Sequence, residues 1–320
     1  MTFNYNNIKD AYKRIQKFTV KTPLEESFYL GSEKQNFFFK LESFQKVKSF
    51  KIRGALNKML TLNDNEKSLG VATISSGNHG SSVSYAAKLL GITNVKIIVP
   101  LSTPQSKIDK IKYFGGEVIL MGNNYDESNS LGMKYIIENN LTYIDAYYDD
   151  PYIYSGQGTI AIEILEQNPN IDTIVVPIGG GGLITGIAVA AKQIKPDIKI
   201  IGVQTEACPA MVKSYEENTF YEEYPNTETL CDSLVGGIGK LSYLMAKDYV
   251  DEFLIVSENS IAKAVSFMAK QEKYIAEAGS CTTIAAVNEY PNIFTGNNIA
   301  LVISGGNIDG EILTNILSKY

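Results

Sequence analysis

The chain has 320 residues, of which 44% are hydrophobic and 20% are charged, and its formal net charge is −6. This composition excludes a disordered chain, and the length indicates one large globular domain or about two smaller ones. The acidic balance, with no dense run of Lys and Arg, disfavours nucleic acid as a partner.

No apolar run approaches the roughly 18 to 20 residues that span a bilayer, and the polar segment 1–17 does not resemble a signal peptide. We therefore expect a cytoplasmic protein with no membrane partner. Cys208, Cys231 and Cys281 are far apart and form no C-x-x-C pair. This spacing predicts free thiols rather than a disulfide framework or a thiolate metal cage.

Helical and strand patterns alternate along the chain. Helices are predicted over 82–90, 106–114 and 183–192, and strands over 71–74, 95–99, 117–121, 173–178, 198–204 and 299–304. Short apolar β-branched runs of this kind are typical of strands buried on both faces. The alternation predicts an α/β protein with parallel sheets, and the polar stretch 215–229 is expected to be an exposed loop.

Lys51 lies in the mostly apolar segment 49–55, which reads Ser-Phe-Lys-Ile-Arg-Gly-Ala. A buried lysine is costly unless its pKa falls or its amine is used covalently, as in a Schiff base with a carbonyl cofactor. The ordinary alternative is a surface lysine whose stem lies along apolar neighbours. Arg53 is more informative, since Arg14 is the only other arginine in the chain.

Four consecutive glycines, 179–182, stand between a predicted strand and the predicted helix 183–192. Their backbone N–H groups can point into one concavity at the positive end of a helix, which favours a phosphate. The dinucleotide pattern G-x-G-x-x-G fails because Ile184 and Thr185 occupy the last glycine positions, and the P-loop pattern fails because Ile187 stands where lysine is required. A single phosphate on a small cofactor remains, with a plain linker as the alternative.

Two further segments carry polar groups at strand ends. Residues 75–80 read Ser-Ser-Gly-Asn-His-Gly and suit a carboxylate or a phenolic oxygen, although an ordinary helix cap fits equally well. His79 is the only histidine, which excludes His-rich metal sites. Ser304 ends the strand-like run 299–303 and is followed by Gly-Gly-Asn; it suits a ring nitrogen or an ordinary turn.

Together, Lys51, Asn78, the glycine run and Ser304 resemble the fold-type II pyridoxal-phosphate enzymes, specifically the threonine dehydratase and serine racemase group. The match keeps its order from Thr22-Pro23-Leu24 through Gly156-Gln157-Gly158-Thr159 to Asn307. The resemblance implies a tryptophan synthase β-like fold of two open parallel-sheet α/β domains with the cofactor between them. It places a large domain at 1–65 and 149–320 and a small closing domain at 66–148, in a homodimer.

The resemblance also implies a role for each matching residue. Lys51 would hold pyridoxal 5'-phosphate as a Schiff base and remove the substrate Cα proton. The cofactor would be contacted by Phe50, Lys51, Asn78, Gly179, Gly180, Gly181, Gly182, Leu183 and Ser304. The substrate carboxylate would be oriented by Ser75, Ser76, Asn78 and His79, with Gln157 nearby. Ser76 also stands where the racemase branch carries its second acid/base.

The implied reaction is loss of water from a small hydroxy amino acid, L-threonine or L-serine, to give a 2-oxo acid and ammonia. Serine racemase with side elimination is the first alternative, followed by a β-replacement enzyme and by a catalytically silent cofactor-binding protein. Relatives with a divalent cation carry acidic residues where this chain has Gln204 and Ala210, so we expect no metal there, with Glu206 as a shifted alternative. Because the sequence ends at Tyr320, we expect no effector domain or end-product control.

Overall fold

The computed structural model describes residues 3–320, which form ten strands. Their bounds are β1 Leu24–Ser32, β2 Gln35–Leu41, β3 Val71–Ile74, β4 Val95–Val99, β5 Glu117–Leu120, β6 Thr142–Tyr143, β7 Thr173–Pro177, β8 Lys199–Thr205, β9 Glu252–Val256 and β10 Asn298–Ile303. A six-stranded sheet has the order β1-β2-β10-β7-β8-β9 and a four-stranded sheet the order β5-β4-β3-β6. Every neighbouring pair is parallel except β1 with β2. The predicted α/β fold with parallel sheets is confirmed.

Helices connect and cover these strands. Their bounds are α1 Tyr5–Ile15, α2 Lys51–Leu60, α3 Asp64–Leu69, α4 Asn78–Leu90, α5 Gln105–Tyr113, α6 Tyr125–Glu138, α7 Pro151–Gln167, α8 Gly182–Ile194, α9 Ala210–Glu216, α10 Lys240–Tyr249, α11 Glu258–Phe267, α12 Ala278–Glu289 and α13 Gly310–Lys319. Short 3-10 turns lie at Glu42–Phe44 and Pro291–Ile293, and a π-helical turn lies at Met268–Glu272. Within residues 3–320, no helix is both long and apolar enough to cross a membrane.

Most predicted elements agree with the structure to within one or two residues at each end. Helix α4 differs, since it begins at Asn78, well before the predicted 82–90. The serines of its first turns are compatible with a helix because Ser82 Oγ donates to Asn78 O at 2.7 Å and Ser84 Oγ donates to Gly80 O at 2.8 Å. Polar residues that suggested a turn therefore extend the helix toward strand β3.

Both faces of the six-stranded sheet are buried, as its apolar sequence predicts. In β10, Ala300 and Val302 join the core under α1, α2, α7 and α8, whereas Ile299, Leu301 and Ile303 join the core under α11 and α12. Successive strand side chains point to opposite faces, so a strand with two buried faces needs apolar residues throughout. A smaller core lies within the four-stranded sheet.

Arg53, on α2, is fully buried and joins three elements through two carboxylates. Its Nε and Nη2 each lie 2.8 Å from an oxygen of Glu42, and its Nη1 lies 2.7 Å from Glu163 Oε1. Lys40 is also buried, with Nζ 2.7 Å from Glu163 Oε2. Burial opposes the charge on Arg53, but the two carboxylates outweigh it and raise the pKa of the guanidinium. The charges balance, which makes their burial tolerable.

Replacing Arg53 with Met should lower the free energy of unfolding by about 3 to 5 kcal/mol, because two buried carboxylates would lose their shared partner. Denaturant unfolding measures the change. Lys21→Met is the matched control, since Lys21 pairs with Glu166 while both side chains stay exposed, and should cost about 1 kcal/mol or less. Equal effects of the two substitutions would contradict a structural role for the buried cluster.

Candidate active site

The start of α2 is tied to the end of β10. The Phe50 N–H donates to Ser304 O at 3.0 Å, and Ser49 forms an antiparallel bridge with Gly305. These contacts set Lys51, the first residue of α2, beside the carboxyl end of the six-stranded sheet. That edge is where ligands bind in open α/β sheets.

The Lys51 amine lies in a pocket of backbone and aromatic groups. Its Nζ donates to Ala146 O at 3.1 Å and lies 5.4 Å from the ring centroid of Phe50 and 5.7 Å from that of Tyr147. Burial lowers the pKa of Lys51 to about 8, although the negative charges of Asp145 and Glu277 oppose the shift. An amine with this pKa is neutral often enough near neutral pH to act as a nucleophile or a base.

The glycine run forms a tight backbone cradle between β7 and α8. Gly181 has φ +89°, which favours glycine, and a Cβ on Gly180 would lie 2.1 Å from the Tyr147 ring. A Cβ on Gly181 would also come within 2.6 Å of Ser242. The main chain alone therefore lines this turn, and the N–H groups at the start of α8 have no intrahelical acceptor, as an anion site requires.

Asn78 is held by two residues that the sequence analysis did not assign to the site. Its Nδ2 donates to both carboxylate oxygens of Glu277, at 3.0 and 3.1 Å, and its Oδ1 accepts from Asn307 Nδ2 at 2.5 Å. Burial raises the pKa of Glu277, and the hydrogen bond from Asn78 opposes that rise. Asn307 closes the Ser304 motif and was therefore available as a sequence signal, whereas Glu277, which directly precedes helix α12, has no such local signal.

Ser304 is almost fully buried and belongs to a pair of hydroxyl groups. Its Oγ lies 3.0 Å from Ser280 Oγ, which in turn donates to Gly305 O at 2.8 Å. Ser280 lies in the first turn of α12. The end of β10 thus offers a neutral hydroxyl whose orientation is set by a second hydroxyl.

The turn between β3 and α4 carries the predicted carboxylate site. Ser75 and Ser76 are half-buried there, whereas His79 is buried, with its Nε2 donating to Ile144 O at 3.0 Å. Burial and then the Lys51 charge lower the pKa of His79 to about 4, so the ring is neutral. Its Nδ1 is then an acceptor, which cannot donate to a carboxylate. Backbone N–H groups at the start of α4 remain suited to that contact.

Gln157 is placed against α2 rather than among these groups. Its buried Oε1 accepts the Gly54 N–H at 3.1 Å. A Cβ on Gly54 would lie 2.4 Å from Gln157 Nε2, and one on Gly156 would lie 2.4 Å from Arg53 O. Gln157 therefore packs in the close approach of α2 and α7 that supports Lys51.

The residues at the expected metal position are engaged otherwise. Gln204 Oε1 accepts the N–H groups of Met211 and Val212, at 2.9 and 3.0 Å, and Ala210 begins α9. Glu206 Oε1 accepts the Glu258 N–H at 2.9 Å. Among the side chains that the structure describes, those of residues 3–124 and 127–320, no three His, Cys, Asp or Glu are grouped so as to hold a metal ion. The cysteines, Cys208, Cys231 and Cys281, are buried free thiols.

The sequence profile of the family described as "Pyridoxal-phosphate dependent enzyme" matches residues 15–305. The chain belongs to this family. The predicted cofactor, pyridoxal 5'-phosphate, is confirmed by this membership. The matched segment contains both sheets and every residue of the candidate site except Asn307.

Two curated relatives of the family are similar over most of the chain. The L-threonine ammonia-lyase of Thermotoga maritima is 38% identical over 318 residues, which cover 98% of this chain and 78% of the relative. The catabolic L-threonine dehydratase of Staphylococcus aureus is 39% identical over 310 residues, which cover 95% of this chain and 88% of the relative.

Solved structures of family members have the same fold. Maize serine racemase superposes with a TM-score of 0.91 at 33% identity, covering 100% of this chain and 98% of that chain. The processed form of threonine deaminase isoform 2 from Solanum lycopersicum superposes with a TM-score of 0.92 at 33% identity, covering 98% of this chain and 87% of that chain. The predicted fold-type II class is confirmed.

The lowered pKa of Lys51 predicts how cofactor loading depends on pH. Only the neutral amine attacks an aldehyde, so the loading rate should rise as pH rises through about 8 and level off above it. An ordinary lysine, with a pKa of about 10.4, would still gain rate at higher pH. Mixing cofactor-free protein with pyridoxal phosphate and following absorbance across this range measures the rate. A rate still climbing tenfold between about pH 9 and 10 would show that burial does not tune the amine.

Proposed function

We propose that this protein is an L-threonine/L-serine ammonia-lyase, which eliminates water from the substrate and releases a 2-oxo acid and ammonia. The observation that carries the proposal is the 38% and 39% identity to two relatives named for threonine deamination, over 98% and 95% of this chain. The site adds support, because its groups suit a phosphorylated aldehyde cofactor and a small amino acid.

The chemistry of the lining groups supports pyridoxal phosphate as the cofactor of this site. The glycine cradle, where a Cβ on Gly180 would meet Tyr147 and one on Gly181 would meet Ser242, suits the phosphate. We assign the cofactor contacts to Phe50, Lys51, Asn78, Gly179, Gly180, Gly181, Gly182, Leu183 and Ser304. When bound, the cofactor supplies an electron sink for the pair released when the substrate Cα–H bond breaks.

Side chains and backbone groups of the protein would accept the substrate Cα proton and orient the substrate. The Lys51 Nζ, with its pKa near 8, accepts the Cα proton near neutral pH. Ser75, Ser76 and the first N–H groups of α4 bind the substrate carboxylate. The buried Ser304 hydroxyl would face the ring nitrogen of the cofactor. Because this hydroxyl carries no charge, it would stabilise the protonated form of that nitrogen less than a carboxylate would.

We also propose that residues 66–148 act as a closing unit over this site. The four-stranded sheet and α4 lie within that range, and the contacts that reach across from it to the remainder of the chain include Asn78 to Glu277 and Lys51 Nζ to Ala146 O. Closure would exclude water from the reacting atoms.

Serine racemase is the second candidate, and two observations favour it. Maize serine racemase superposes on this chain with a TM-score of 0.91. Ser76 supplies a half-buried hydroxyl in the turn before α4, at the position where the racemase branch carries its second acid/base. A racemase needs two such groups, whereas elimination needs only one proton acceptor at Cα.

Product analysis on the purified holoenzyme tests the proposal. L-threonine and L-serine should each give 2-oxo acid and ammonia in equal amounts, and Lys51→Ala should lower the rate at least about a thousandfold. Lys46→Ala is the matched control, because Lys46 is an exposed lysine five residues before Lys51, and should keep the wild-type rate.

Chiral analysis of serine in the same reactions separates the two candidates. D-serine that appears faster than pyruvate would make racemisation the main activity, and Ser76→Ala should then abolish it while elimination from L-serine continues. Enzyme that holds the cofactor but releases neither product from either substrate would overturn the proposed function.

A further inference from the structure

A chain of four side chains links α5 to the cofactor site. Lys110 Nζ donates to Asn307 Oδ1, Asn307 Nδ2 donates to Asn78 Oδ1 at 2.5 Å, and Asn78 Nδ2 donates to Glu277 at 3.0 Å. Lys110 Nζ and Asn307 Nδ2 also both donate to Val47 O, at 3.2 and 3.0 Å. The Asn307 N–H donates to Glu277 Oε2 at 3.2 Å, which closes the arrangement.

The two ends of this chain differ in hydrogen-bonding chemistry. Lys110 is half-buried and can only donate while protonated; burial lowers its pKa to about 8, so the amine is mostly charged near neutral pH. Glu277, when ionised, can only accept. The two residues between them are amides, each of which can present either its oxygen or its nitrogen by a flip of the terminal group.

A donor at one end and an acceptor at the other leave a single consistent orientation for both amides. Lys110 requires the oxygen of Asn307, which turns the Asn307 nitrogen toward Asn78. Asn78 must then present its oxygen to Asn307 and its nitrogen to Glu277. An isolated Asn78 amide would have no such constraint.

We propose that Lys110 and Asn307 are positioning residues that, with Glu277, fix the Asn78 amide with its NH2 group available to the cofactor. The proposal rests on the assignment of Asn78 to the cofactor under the proposed function. Two of the four residues, Asn78 and Lys110, belong to helices that cover the four-stranded sheet, and the other two belong to segments beside the six-stranded sheet. These four hydrogen-bonded side chains therefore also connect the two halves of the site.

Asn307→Asp is the decisive single substitution, because it keeps the size of the side chain and its acceptor for Lys110 but removes the donor to Asn78. The Asn78 amide would then lie between two acceptors, Asp at position 307 and Glu277, so its neighbours would no longer set a single orientation for it. We expect the dissociation constant for pyridoxal phosphate, titrated into cofactor-free full-length protein, to rise about tenfold, together with a changed absorbance spectrum of the bound cofactor.

The double variant Asn307→Asp with Glu277→Gln separates positioning from stability. Both hydrogen bonds of the Asn78 amide can then form in the reverse direction, from Gln to Asn78 and from Asn78 to Asp, although the bond from position 307 to Val47 O stays lost. We expect its denaturation midpoint to return toward the wild-type value while the tenfold weaker cofactor binding and the altered spectrum persist. If cofactor affinity and the absorbance spectrum recovered along with stability, the four hydrogen-bonded side chains would have only a structural role, and the proposal would be overturned.

A lysine pair on α5 provides a second test. Lys110→Met should weaken cofactor binding about threefold and change the spectrum, because Asn307 Oδ1 loses its donor and the bond from Asn307 Nδ2 to Val47 O is left to orient that end of the amide chain. Lys107→Met is the matched control, since Lys107 pairs only with the exposed Asp232 in the described contacts, and should leave both readouts unchanged. Equal behaviour of the two variants would refute the role of Lys110. Wild-type binding of the cofactor without release of 2-oxo acid would contradict the proposed function alone, since these readouts need no turnover.

Discussion

The position of the reactive amine depends on the buried Arg53 cluster. Its guanidinium is held on two edges by carboxylates from separate elements, Glu42 after β2 and Glu163 on α7, and it lies two residues beyond Lys51 on the same helix. Such a cluster gives little net stability because desolvation offsets attraction. Its bidentate geometry restricts rotation and sliding of α2, however, and a displacement of about 1 Å is enough to impair a catalytic group.

Close backbone approaches provide the second constraint. Helices α2 and α7 meet at Gly54 and Gly156, where a Cβ would collide with Gln157 or Arg53, and the glycine cradle meets Tyr147 at Gly180. Glycine at these positions lets two helices and a loop converge on Lys51 without intervening side chains. The same convergence removes water from the amine, which is why its pKa falls to about 8.

The sequence predicted the parts of the site that depend on local patterns. The four glycines after a β-branched run and the lysine in an apolar turn carry their chemistry in neighbouring residues. Glu277 could not be found in that way, because the Asn78 amide that it binds is 199 residues distant along the chain. The predicted start of α4 lies after the observed one because serine favours turns in isolation. Here the serine hydroxyls donate to helix carbonyls instead.

The site contains groups that titrate and groups that do not, and the two kinds have different roles. Burial shifts Lys51 and Lys110 toward the neutral amine and Glu277 toward the neutral acid, so each of these groups responds to changes in its surroundings. Asn78 and Asn307 lie between Lys110 and Glu277 and do not titrate. They affect the site only through the orientation of their amide groups. A buried lysine can thus be tuned for proton transfer while the amide beside it keeps one orientation, because different residues meet the two requirements.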